Sequence, residues 1–309
     1  MITYTRLKNH GTVFVKMTGL RPREFDVLLD EIMPRFAEAE ARRLERSERQ
    51  RAIGGGDKAD LSARDQILLT IIWLRLYPTH DVLGFLFDVS QPTVGRYIRH
   101  GLPVLEKAGQ ASMRLPDPGR KRRRKLPDLV KDIPELAVVV DTFEQAVQRP
   151  KHPAQRPDWY SGKKRTHTIK TQVTVDENTG ELVDVSASVP GRSSDITLLR
   201  QSGLLSRLPP DMACMGDTAY QGIAKLHHLG FSPLKRLSKH APPFSDEQVA
   251  YNHAFACRRI IVENTINRLR SFQSLTQRDR QHRSTCNHHA RTCAVAGLVN
   301  HQLHLRLAL

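Results

Sequence analysis

Cysteine is scarce in this 309-residue chain, and the four present (Cys214, Cys257, Cys286, Cys293) form no Cys-x-x-Cys pair. That spacing argues against a disulfide scaffold and a standard zinc module. Long apolar runs are missing too. The longest, Ile67–Leu74, is interrupted by Thr70 and is too short to cross a bilayer, so no membrane partner is expected. No basic-then-apolar leader opens the sequence, and simple secretion is not expected. Acidic residues are outnumbered, 32 Asp and Glu against 48 Lys and Arg, leaving a formal net charge of +16 and a pI of about 10.1. Surplus positive charge of this size favours a polyanionic partner, nucleic acid or an anionic membrane surface, over a small acidic substrate. What is present is a chain able to fold: 39% of it is hydrophobic, apolar blocks recur, and its length accommodates roughly two domains. The expectation at this level is a cytoplasmic protein that handles nucleic acid.

Four segments follow from the pattern. Residues 1–53 form an N-terminal helical segment, because Arg21–Arg51 is rich in Glu, Arg, Ala and Leu, with Pro22 suited to a first turn and Pro34 expected to break or kink the helix. Gly54-Gly55-Gly56 reads as a stop and hinge. Residues 54–112 are expected to be a helix-turn-helix DNA-binding domain. Ser62 and Asp65 suggest a cap, Ile67, Leu68, Ile71, Ile72, Leu74 and Leu76 supply an apolar stripe, and Pro78 ends that helix. A short helix Asp81–Phe87, a turn at Asp88-Val89-Ser90 and a helix from Gln91 to about His100 complete the motif. Gln91, Thr93, Arg96 and Arg99 are expected on its exposed face, and these residue types reach base edges and phosphates in a major groove. An ordinary helical hairpin with a solvated face is the plainer alternative. Residues 113–132 are a basic linker, whose six consecutive cations (Arg120, Lys121, Arg122, Arg123, Arg124, Lys125) read either as a soluble tether or as a sequence-independent phosphate binder.

From 133 to 309 the character changes to α/β. Leu136–Val140 is a continuous apolar run expected of a central strand, and Ala146–Gln148 is a second candidate. Thr166–Val175 and Leu182–Val189 alternate about the turn Glu177–Gly180, which signals a β-hairpin. Helices are expected at Ser194–Gln201, Gln221–Leu229, Asp246–Phe272 and Arg291–Leu305, with a buried strand at Met212–Met215. The sum is a mixed sheet flanked by helices.

Three acids stand where chemistry is possible. Asp141 directly follows an apolar strand, and Asp217 does likewise after Met215-Gly216, the glycine permitting close approach. Glu263 lies mid-helix beside the stripe Val262, Ile266 and Leu269, sharing its face with Arg259, Asn267 and Arg270, which could touch phosphates. Carboxylates on rigid elements can clamp two Mg²⁺ ions across a phosphodiester, and hard oxygen donors suit Mg²⁺. A strand-end Asp is also a common turn residue, and Asp195 after Pro190-Gly191-Arg192-Ser193-Ser194 reads as a helix cap. Cys286, His288, His289 and Cys293 fit no common zinc spacing. Trp159 and Tyr160, beside Lys163, Lys164 and Arg165, suit either stacking on an end nucleotide or anchoring a loop.

Ordered stretches now carry a resemblance: Gly54-Gly-Gly-Asp-Lys58, Leu61-Ser-Ala-Arg-Asp-Gln66, Trp73-Leu-Arg-Leu-Tyr-Pro-Thr-His80, Asp81-Val-Leu-Gly-Phe-Leu-Phe87 and Ser90-Gln-Pro-Thr93, then Gln148-Arg-Pro150, Tyr160-Ser-Gly-Lys-Lys164, His167-Thr-Ile-Lys-Thr-Gln172, Pro190-Gly-Arg-Ser-Ser-Asp195 and Gly216-Asp-Thr-Ala-Tyr220. The chain resembles DDE transposases of the bacterial insertion-sequence type, with a Harbinger-like endonuclease domain behind an N-terminal helix-turn-helix. The resemblance implies an RNase H-like catalytic fold with Asp141, Asp217 and Glu263 at the DDE positions as catalytic and metal-binding residues. It departs from the family at Asp141-Thr-Phe-Glu144, where Asp-Gly-Thr is common. Near the final Glu, Ala256 replaces a Tyr and Arg270 a Lys, while Arg259 keeps the family's Arg.

The function expected is therefore that of a transposase acting on double-stranded DNA, both element ends and target. It would cleave and transfer strands with two divalent ions, Mg²⁺ with Mn²⁺ as substitute. A homodimer or larger assembly would form on DNA, in a bacterial cytoplasm and associated with the nucleoid. A domesticated DNA-binding regulator and a nuclease that cleaves without rejoining are the alternatives.

Overall fold

The computed structural model describes residues 1–45, 59–116, 133–134, 136–236, 238, 240–281 and 283–307. The expected glycine hinge at 54–56 and the cationic run 120–125 lie outside the described residues. The chain divides into two compact units, Met1–Ala111 with Arg270–Gln277 and Ala290–Leu309, and Ser112–Leu269 with Arg278–His289. The division expected from the sequence, with everything after 133 in one domain, differs from this. The physical reason lies in two glycines: Gly109 and Gly297 face each other with no room for a Cβ on either, so the last helix packs among the N-terminal ones.

The first unit is helical: α1 (Tyr4–Lys8), α2 (Gly11–Thr18), α3 (Pro22–Leu44), α4 (Ala63–Leu76), α5 (His80–Phe87) and α6 (Gln91–Ser112). Its helix starts are set by short polar side chains, as the sequence suggests. Ser62 Oγ accepts from Asp65 N, and Thr79 Oγ1 accepts from Val82 N. Pro34 does not break α3. It sits exposed in mid-helix, where water can serve the carbonyl it leaves unbonded, while Leu29, Ile32 and Phe36 are buried on either side. Likewise α6 runs through exposed Pro103 to Ser112 rather than stopping near His100, because Leu102, Val104, Leu105 and Ala108 continue its buried face.

The second unit holds a mixed sheet with strand order β2-β3-β1-β6-β7, β4 and β5 both pairing with β3. β1 (Ala137–Ala146) and β3 (Thr166–Asp176) pair antiparallel from Val138↔Asp176 to Ala146↔Thr168. The two strands expected at Leu136–Val140 and Ala146–Gln148 are thus largely one strand. Pairing along β3 carries the chain extended through the polar residues Thr142, Glu144 and Gln145. β6 (Ala213–Met215) and β7 (Gly230–Phe231) add in parallel, while β2 (Tyr160–Ser161), β4 (Leu182–Val185) and β5 (Val189–Pro190) pair antiparallel with β3. Val138 and Val140 join Leu199, Leu204, Cys214 and Tyr220 in one buried cluster, under α8 (Asp195–Gln201) and α9 (Leu204–Arg207). By strand alternation Val139 and Asp141 face the other way, where α10 (Asp246–Arg270) supplies Arg259. The helix expected at Gln221–Leu229 does not form. Gly222 takes a left-handed φ of 91°, and tight turns over Thr218–Tyr220 and Ile223–Lys225 replace it. α7 (Arg156–Trp159) is a single turn, and α11 (Thr285–Leu307) is the last helix.

Candidate active site

The acid pair follows from strand register. β1 and β6 run parallel with Val139 opposite Met215, so two residues further on Asp217 comes level with Asp141. Asp141 is not at a strand end as the sequence suggests. It sits midway along β1, because the strand continues on its pairing with β3. Asp217 does follow the end of its strand. It caps the next turn, accepting from Ala219 N at 2.9 Å. Gly216 between them is required by packing: a Cβ there would fall 2.6 Å from Tyr220 Cβ. Tyr220 is fully buried, and its hydroxyl donates to Gln172 Oε1 at 3.2 Å.

Electrostatically, the pair is under-compensated. Asp141 accepts from Thr142 N at 2.7 Å and meets Arg259 Nη2 only at 3.5 Å. Burial pushes its carboxyl up to about 6, against the opposing pull of the Thr142 N–H and the Arg259 charge. The charges of Asp217 and Asp195 push the same way as burial. The same carboxylates, after burial itself, raise the Tyr220 phenol well above its ordinary value. Mutual repulsion of this kind is what a bound cation relieves, and oxygen donors alone suit a hard divalent ion. Asp141 and Asp217 therefore fit a divalent metal. Among the described residues, no group of three or more His, Cys, Asp or Glu side chains is gathered tightly enough to hold one ready-made. Glu263 is exposed on α10, one turn beyond Arg259.

Asp195 is not the helix cap expected of it. Ser194 caps α8, accepting from Thr197 N, and Asp195 in the first turn is buried against Lys170 at 2.7 Å. Lys170 also donates to Ser193 O at 2.8 Å and lies 3.6 Å from Glu144, which accepts from Thr168 Oγ1 at 2.7 Å. Sequence spacing gave no sign of this group, although β-pairing of Glu144 with Lys170 generates it.

Gln91, Arg96 and Arg99 are exposed on α6, behind the α5 turn. That turn needs Gly84, whose Cβ would meet Val89 O at 2.6 Å. Thr93, expected to be exposed, is buried: three residues past the cap, its hydroxyl bonds to Ser90 Oγ and accepts from Arg96 Nη2 at 2.7 Å. Lys163 and Lys164 are exposed between β2 and β3, and Arg270 is exposed at the end of α10. Trp159 is half-buried and Tyr160 exposed, edge-on to His167. His288 bonds to Ser188 and Thr171 and His289 to Ser186 O, while Cys293 is buried and Cys286 exposed. No described helix is long and apolar enough to cross a membrane.

In chain order, then, a helix-turn-helix precedes a mixed sheet that carries two aspartates near one another. The family description of DDE superfamily endonucleases matches residues 140–300, more than half of the chain, and that of the helix-turn-helix of the same superfamily matches residues 59–111. The chain belongs to the DDE superfamily of endonucleases, a family that works with divalent metal, and its fold is the RNase H-like α/β type behind an all-α helix-turn-helix domain. It is 27% identical over 293 residues, 95% of either chain, to a probable transposase for insertion sequence element IS702 from Microchaete diplosiphon. No solved structure matches. The resemblance to DDE transposases noted from the sequence is thereby borne out.

Proposed function

We propose that the protein is the transposase of a bacterial insertion element: it binds the element's terminal inverted repeats, cuts the DNA ends and joins them to target DNA. The observation that carries this is the register-matched, mutually repelling pair Asp141 and Asp217 within the endonuclease match. Gln91, Arg96 and Arg99 read the repeat, and Lys163, Lys164, Arg270 and the 120–125 cations hold phosphates. Asp141 and Asp217, with Glu263 as third acid, hold two divalent ions, Mg²⁺ or Mn²⁺ in its place. When bound, such ions activate the attacking oxygen and stabilise the leaving one in an in-line displacement. The chain's own part is to fix one carboxylate within β1 and the other in the turn just after β6, while Arg259 binds charge beside Asp141. Cutting by water and joining by a freed 3′-hydroxyl are the same displacement with different nucleophiles, so one site serves both. Bringing two ends together calls for a dimer or larger assembly, working at the nucleoid in the cytoplasm.

The test is a duplex carrying the inverted repeats that flank the gene, incubated with the full chain and Mg²⁺. Nicked ends and joined products are expected. Cleavage without joining would leave a plain nuclease, and end binding without cleavage a regulator.

A further inference from the structure

We propose that Arg259 is a positioning residue that couples metal loading to DNA: without DNA its guanidinium holds Asp141, and a backbone phosphate draws it off and frees the acid pair for a divalent cation. This rests on the reading of Asp141 and Asp217 as metal ligands.

Three observations carry it. Arg259 is nine-tenths buried, on the helix facing the Asp141 side of the sheet, and its Nη2 reaches Asp141 Oδ2 at 3.5 Å, a long and single contact. Its Nε, also buried, has no hydrogen-bond partner. A guanidinium offers its donors as a fork matched to two oxygens of one phosphate or carboxylate. Here the fork is half used, and a buried donor left over is costly unless a ligand satisfies it. The neighbouring Arg258 shows the contrast: it grips Glu177 with both Nε and Nη2, at 2.7 and 2.5 Å, and donates to the carbonyls of Ile133 and Pro134. Arg258 is finished structure, whereas Arg259 awaits a second acceptor.

A guanidinium so close to Asp141 also repels a dication from the same carboxylate. Metal and phosphate therefore act on one group from opposite sides. Phosphate removes the competitor of the metal, and by linkage the metal must tighten phosphate binding by the same factor. A transposase built this way carries little loaded metal until DNA is seated.

Bound Mn²⁺ is counted by paramagnetic resonance on the full chain and on Arg259→Met, Arg259→Lys and Asp141→Asn. Affinity for a random-sequence duplex is read by anisotropy with and without Mn²⁺, the Asp141→Asn response being subtracted. Without DNA, Arg259→Met should bind Mn²⁺ about tenfold tighter than the unaltered protein, and Arg259→Lys should stay close to it. Mn²⁺ should tighten duplex binding several-fold in the unaltered protein and not in Arg259→Met. Arg259→Lys, which keeps the charge and loses the fork, should lose most of that response, and it carries the test alone if Arg259→Met does not fold. Equal Mn²⁺ affinity in all Arg259 variants, or an equal Mn²⁺ effect on duplex binding, overturns the coupling alone. Absence of Mn²⁺ binding in every protein overturns the metal-site reading along with it.

Discussion

Two groups of charge share the sheet of the second unit, and each places one cation near two carboxylates. Lys170 stands with Asp195 and Glu144, and Arg259 with Asp141 and Asp217. Net charge does not distinguish them; contacts do. Lys170 lies 2.7 Å from Asp195, also donates to Ser193 O, and Glu144 is further served by Thr168. Arg259 stays 3.5 Å from Asp141 with its Nε unbonded, and the Asp141 carboxyl is pushed up to about 6. The first group is closed and pins the loop before α8 to β3. The second is left open at a stability cost that folding does not need, and such sites are where ligands bind. Asp195 consequently cannot serve as an inert control for the acids, since its charge bears on Asp141.

The largest effect separates the two groups by chemistry. Asp141→Asn and Asp217→Asn keep shape and remove the charge that holds a divalent ion, so each should reduce end cleavage by a factor on the order of 10³ or more, with end binding retained. The double variant should be scarcely worse than either single one. Glu144→Gln, belonging to the closed group, should lose far less activity. A Glu144→Gln loss equal to that of Asp141→Asn would erase the distinction.

Next comes stability. Lys170→Met leaves Asp195 and Glu144 buried without their cation, and truncating one partner of such a pair costs about 3–5 kcal/mol. Urea unfolding should show it as a lowered midpoint with an unchanged slope.

The open group behaves in the opposite sense. Asp141 has its carboxyl raised above the 3.8 of an unfolded chain, so its ionisation opposes folding. The penalty is absent below about pH 4, grows from there to about pH 6 and is complete above that, reaching roughly 3 kcal/mol at most. Asp141→Asn should therefore stabilise the metal-free protein at pH 8 and leave it unchanged at pH 4. Thermal melts at the two pH values decide it. A destabilised variant at pH 8 would mean that the Arg259 contact outweighs burial.

Local chemistry explains what the sequence made legible. The cap at Ser62, the turn Asp88-Val89-Ser90 before α6, the hairpin turn at Glu177–Gly180 and the apolar run before Asp141 all depend on neighbours in the chain, and each is found where expected. The misses involve partners far along it. Asp141 looked terminal because Thr142–Gln145 is polar, yet pairing with β3 keeps it within the strand. Gln221–Leu229 looked helical until Gly222 adopted a left-handed turn beside β7. The contact of Arg259 with Asp141, and that of Lys170 with Asp195, cross 118 and 25 positions, and no spacing rule reports them. The sequence pattern makes both Asp141 and Asp217 strand ends, whereas only Asp217 follows one, and the parallel register of β1 and β6 is what brings them level.

The smallest effect lies in the first unit, where exposed and buried side chains of α6 divide the work of reading DNA. Arg96 and Arg99 are exposed, and a bidentate contact from either to a guanine is worth about 1–3 kcal/mol of discrimination. Arg96→Ala in the full chain should narrow the gap between element-end and random duplexes by that amount. A uniform loss on both duplexes would make Arg96 a phosphate contact instead. Thr93 acts one step removed, since its hydroxyl meets Ser90 at the helix start and accepts from Arg96. Thr93→Val removes both bonds without touching DNA. It should cost about 1 kcal/mol of stability through the weakened cap and less discrimination than Arg96→Ala, because Arg96 is loosened rather than lost. Anisotropy on the two duplexes, with a melt on each variant, separates these roles. A Thr93→Val protein of unchanged stability that discriminates as poorly as Arg96→Ala would place the threonine on the DNA, as the sequence alone had suggested.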